Sequence, residues 1–188
     1  MQEKSVLQKI FITILTFGII LWFGGSIIRS SIAFDLFIPA AKMELKPGYS
    51  DGIRLHSVYI YTVTGTYSTV GYIAAFISAI VLYIHWRKVM KVRGWLFMAF
   101  VLFFISSPVE LYLCFTDIKL SLAFQFNQVG SFSDSNIQKF FLDRYKNIAL
   151  TTASGLSFLA VITSLLYIVW HPLDMLHTQY SGGTINEK

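Results

Sequence analysis

Arg29 and Glu110 are the residues best placed to do chemistry, because each falls where the chain is otherwise apolar. Arg29 follows nineteen uncharged residues, Ile10–Ile28, and Glu110 interrupts the apolar stretch from Trp95 to Thr116. A charge in hydrocarbon costs at least about 2.5–3.5 kcal/mol on insertion scales, so such groups face protein or water and find partners. At about 1.5 Å of rise per residue, Arg29 lies roughly 14 Å below a helix end near Ile38, and Glu110 roughly 10 Å below an end near Asp117. Those depths differ by less than a helical turn, so the two side chains are expected to meet. Ser106 and Ser107 precede Glu110 by four and three residues and share its face. Pro108 removes a backbone donor beside them and is expected to bend the helix.

Hydroxyls extend the constellation. Thr62, Thr66 and Thr69 lie in the first half of one apolar stretch, Thr151 and Ser154 at the start of another, and His56 at a mouth. The expectation is a polar pocket opening outward, with Arg29 and Glu110 at its base and His56 at its rim. It would bind a solute, an ion, a lipid headgroup or a partner chain. The plainer reading gives the same residues structural work. Serine and threonine bond backbone carbonyls or neighbouring helices in membranes, and an arginine near a helix end extends its head to the interface. Asp35 and Asp117 are expected at that interface, solvated.

His85 and His171 both end apolar stretches beside tryptophans, in "IHWRK" and "VWHPLD". Histidine, tryptophan and arginine at such positions anchor helices at the headgroup level. The alternative is axial ligation of a haem b by this pair; otherwise no cofactor is expected. His56 and His177 form no closely spaced metal pair, and Cys114 stands alone, so no cysteine-based metal site or intrachain disulfide is expected. No phosphate-binding glycine loop, helical zinc spacing or serine elbow occurs. An enzymatic role is therefore disfavoured, although Glu110 with His56 or Arg29 could do acid–base work on a lipid-soluble substrate.

The elements that must position these residues follow from composition. The 188 residues are 55% hydrophobic and 13% charged, against about 25% charged in soluble domains. Apolar stretches at Ile10–Ile28, Val58–Ile84, Trp95–Val109 and Ile148–Trp170 approach or exceed the roughly 20 residues that cross a bilayer. Without water, a backbone must satisfy its own hydrogen bonds, which leaves helices or closed barrels. Strict alternation is absent, so the reading is all-α: an integral membrane four-helix bundle forming one domain, residues 1–188. Its helices are expected at about 10–38, 56–86, 94–116 and 136–171, with 177–188 a flexible tail.

Arg87, Lys88, Lys91 and Arg93 crowd one short connection without an acid, so the positive-inside rule places it, and both termini, in the cytoplasm. A net charge of +5 suits anionic lipid around that loop. No spaced basic-aromatic pattern points to nucleic acid. Gly18 and Gly25, and the row Gly71, Ala75 and Ala79, predict close helix approach, within the bundle before any docking of a second subunit.

Three functions fit these observations. The first is a non-catalytic accessory or assembly subunit of a larger membrane complex, with other membrane subunits or a homo-oligomer as partners. The second is a binding or transport protein using the outward pocket. The third is a haem- or quinone-associated redox protein. A bacterial-type cytoplasmic membrane is the expected location.

Overall fold

The computed structural model describes residues 6–38 and 44–171; the expected flexible tail at 177–188 and His177 lie outside the described residues. Helix α1 is Val6–Asp35, α2 Asp51–Met90 and α3 Gly94–Gln125. Then come α4 (Ser135–Ile137), a π-helical stretch (Gln138–Leu142), α5 (Asp143–Lys146) and α6 (Ile148–Trp170). Helices α1, α2, α3 and α6 are long and apolar enough to cross a membrane, so the chain is an all-α polytopic membrane protein. Each keeps its backbone hydrogen bonds within itself, as hydrocarbon requires.

Local signals set the boundaries. Ser50 caps α2, its Oγ accepting from the Ile53 amide at 3.4 Å. Asn147 caps α6, its Oδ1 accepting from Ala149 at 3.1 Å and Leu150 at 3.3 Å. That cap is also why the expected single helix over 136–171 is interrupted: Asn147 is extended (φ −80°, ψ 106°), so the chain turns before α6 begins. Helix α3 runs unbroken through Pro108 and continues nine residues past 116, to Gln125. Its extra turns are covered rather than solvated, because Leu120 joins Phe132, Ile137 and Phe141 in a buried cluster built by the α3–α6 connection.

The small-residue rows pack inside the bundle. A Cβ added to Gly18 would stand 2.6 Å from the Gly71 carbonyl, and one added to Gly71 would stand 2.7 Å from the Gly18 carbonyl. The backbones of α1 and α2 therefore touch at this crossing, and only hydrogen fits there.

Helix α1 packs along α2, α2 along α3 and α3 along α6, while α1 and α6 do not pack along each other. They flank a seam. Buried residues make up 17% of the apolar window of each, against 44% for α2 and for α3. Aromatic rings bridge the seam midway, where Phe158 stacks on Phe23 (5.5 Å between centroids) and meets Trp22 (5.4 Å). The seam is thereby divided. One part lies toward the end of α2 and its turn into α3, which carry Arg87, Lys88, Lys91 and Arg93 (the basic end), and the other toward α4 and α5.

Candidate functional site

Three charged side chains converge in the part of the seam below α5. Nη1 of Arg29 (α1) donates to Oδ2 of Asp117 (α3). Nη1 of Arg144 (α5) donates to Oδ1 of the same carboxylate at 3.1 Å. Arg29 and Asp117 are each 5% exposed and Arg144 is 9% exposed. Gly65 leaves room for the first pair, since a Cβ there would lie 3.2 Å from Arg29 Nη1 and 3.7 Å from Asp117 Cγ. The Arg29 guanidinium also lies over the Tyr61 ring, 5.4 Å from its centroid, where the ring quadrupole favours a cation. Tyr61 is held edge-on by Phe141, at 4.9 Å, from the π-helical stretch. Such stretches recur at functional sites because they re-aim the residues beside them; here Arg144 comes two residues after the stretch ends.

An arginine offers five N–H donors and no acceptor. Asp117 takes Nη1 from each guanidinium, and the remaining donors of both bond no acceptor among the described residues. Arg29 and Arg144 both line a groove of about 580 Å³ between α1 and α6, with Ser26, Ser30, Thr151 and Ser154 on its walls. Ile27, Phe34 and Phe158 supply its apolar surface. Tyr145 also lines it, and burial raises that hydroxyl well above its usual range, so it stays a neutral donor.

Glu110 has a different fate. Its Oε2 accepts from Trp22 Nε1 at 3.0 Å and its Oε1 from Ser157 Oγ at 2.7 Å. Neutral donors from α1 and α6 thus tie both flanks of the seam to α3. No salt bridge reaches Glu110 among the described residues.

The expected Arg29–Glu110 pair is therefore replaced by Arg29–Asp117, and Asp117 is buried rather than solvated. Helix length is the reason. Because α3 ends at Gln125, Asp117 lies about 12 Å below that end and Glu110 about 22 Å below, while Arg29 lies about 9 Å below Asp35. The depth match belongs to Asp117. Asp35 is at the surface, as expected, and is paired with Lys46 at 2.7 Å.

Of the other expected pocket residues, Thr151 and Ser154 join Arg29 and Glu110 on the groove wall. Ser106 and Ser107 lie deeper, each bonded to the Phe103 carbonyl, and Ser107 accepts from Tyr72 Oη at 3.1 Å. Thr62 and Thr66 line a separate hollow of about 380 Å³ with Tyr59 and Ser121, between α2 and α3. Thr69 is buried on α2, away from the groove. His56 is exposed on α2 beside Tyr59 and is not at the groove rim. The His171 ring lies against Trp95 (4.0 Å between centroids, planes tilted by 33°) at the basic end, whereas His85 is exposed and lines neither part of the seam.

No protein-family model matches the chain, and neither a curated protein nor a solved structure matches it. Its chemistry rests on its own geometry. Arg144, missed in the sequence, completes that geometry, and Ser157, a hydroxyl near the start of the last apolar stretch, adds the second bond to Glu110; the stretch carrying "LDRYKN" falls within the helix expected over 136–171, and the structure instead folds it over the bundle.

Proposed function

We propose that this polytopic membrane protein binds an anionic amphiphile, with its carboxylate or phosphate against Arg29 and Arg144 and its apolar body leaving between α1 and α6. One observation carries the reading: two buried guanidiniums share a single aspartate and keep spare donors on a groove that opens sideways. Guanidinium forks match the oxygens of carboxylate and phosphate, and such charge-assisted bonds are the strong ones. The hydroxyls of Ser30, Thr151 and Ser154 supply further donors, and Ile27, Phe34 and Phe158 suit hydrocarbon. With the basic loop in the cytoplasm, this groove belongs to the extracytoplasmic leaflet.

Size favours an amphiphile over a partner helix inside the groove. A helix about 10–12 Å across would place only about one turn in a space of 580 Å³. The accessory-subunit reading keeps support from a different feature, the sparse burial of α1 and α6, whose outward faces offer a partner room to pack. Less supports a haem site, since His85 is exposed and lies off the seam that His171 lines.

The test uses the full chain in nanodiscs of neutral phosphatidylcholine, titrated with phosphatidylglycerol or with inorganic phosphate and read by native mass spectrometry. Retention of phosphatidylglycerol, reduced about tenfold or more by Arg144→Gln through loss of a charge-assisted bond, is the expected result. Binding of free phosphate alone would redirect the reading to a soluble anion. Retention indifferent to headgroup charge and to Arg144 would overturn it, and a co-purifying membrane chain lost on substitution of outward residues of α1 or α6 would establish the subunit role.

A further inference from the structure

The other part of the seam holds a second space, about 560 Å³, between α1 and α6 at the basic end. Its walls include Leu15, Ile19, Ala99, Phe103 and Leu165. The hydroxyls among its lining residues are already bonded: Thr16 to the Ile12 carbonyl at 2.8 Å and Ser164 to the Ala99 carbonyl at 2.8 Å. A wall whose hydroxyls are paired offers water little, and apolar cavities take apolar guests. By the same geometry as above, the space encloses only about one turn of a helix, whereas a flexible hydrocarbon chain can follow it.

Charge selects the headgroup. Arg93 lines this space and is exposed, and its guanidinium makes no hydrogen bond or ion pair among the described residues. Arg87 and Lys88 in the last turn of α2, and Lys91 just after it, precede Arg93, with no acidic residue between Arg87 and Arg93. Trp86 and His171 also line the space, residue types that sit at the headgroup level.

We infer that this cleft is a lipid site: an acyl chain of an anionic phospholipid from the leaflet on the basic-loop side lies in it, and the phosphate rests against Arg93. The site is separate from the Arg29–Arg144 groove, across the Phe23–Phe158 stack, and stands whether or not that groove binds an anion.

Tryptophan quenching by phospholipids with brominated acyl chains tests it, because Trp86 and Trp95 both line the cleft. In nanodiscs, brominated phosphatidylglycerol should quench more strongly, and at lower mole fraction, than brominated phosphatidylcholine. Arg93→Gln, an exposed change that leaves the packing intact, should weaken the apparent affinity about fivefold. Thr16→Phe, which fills the cleft from an exposed position on α1, should abolish the difference between headgroups. Equal quenching by both lipids, or a preference untouched by Arg93→Gln and Thr16→Phe, overturns the inference.

Discussion

The guanidinium of Arg29 on α1 bonds the carboxylate of Asp117 on α3 across the bare Cα of Gly65 on α2, so three spanning helices meet at one ion pair. Arg144 reaches the same carboxylate from the connection above. Such a pair contributes little compared with an apolar isostere, but removing one partner leaves uncompensated charge in a dry site.

Asp117→Asn should therefore destabilise the protein by about 3–5 kcal/mol, because two buried arginines lose their counter-charge. Glu110→Gln should cost less, about 1–3 kcal/mol, since the amide oxygen can still accept from Trp22 Nε1 and the new NH2 can donate to Ser157 Oγ. Reversible unfolding in mixed micelles measures both. A double-mutant cycle separates the alternatives: Arg29→Gln should couple to Asp117→Asn by more than about 0.5 kcal/mol and to Glu110→Gln by less.

Gly18→Val and Gly71→Val should each lower stability by about 1–3 kcal/mol or more, because the added atoms would enter the facing backbone. Gly24→Ala meets nothing within 4 Å and should cause no loss of stability in the same assay.

Asn147→Ala removes the side chain that accepts from the Ala149 and Leu150 amides, and should cost about 1 kcal/mol. Faster amide exchange in the first turn of α6, with α3 unaffected, is the expected local signature.

The loop before α4 should loosen in acid. Backbone amides of Ser131 and Gly130 donate to Asp134 and hold its carboxyl below the usual carboxylate range. Its folded pKa is thus depressed, so its contribution is present above the ordinary value of about 3.9 and lost as pH falls through the lower folded value. Exchange at Gly130 and Ser131, corrected for intrinsic rates, should quicken below that range and become insensitive to it in Asp134→Ala.

The site was only partly legible in the chain. Arg29, Glu110, Thr151 and Ser154 stand out because polar groups are rare in apolar helices, and they do share one groove. Asp117 was hidden by an assumed helix end: hydropathy falls where Asp117 and Lys119 appear, yet the helix continues because a folded connection shields it. Arg144 was hidden because its stretch reads as part of one continuous helix over 136–171, and only the turn at Asn147 lets the segment before it fold back toward Asp117.

What the sequence determined by itself was the solvent and the class of element. Long runs without charge cannot face water, and only helices without strand-like alternation satisfy their backbone in lipid, so four spanning helices follow from local composition alone. What the tertiary structure decided was partnership. Which carboxylate an arginine meets depends on helix length, on rotation and on which helices are neighbours, and here also on a connection that folds back over the bundle. Those quantities are set by contacts between residues far apart in the chain, of which Arg29 and Asp117, 88 residues apart, are the clearest case.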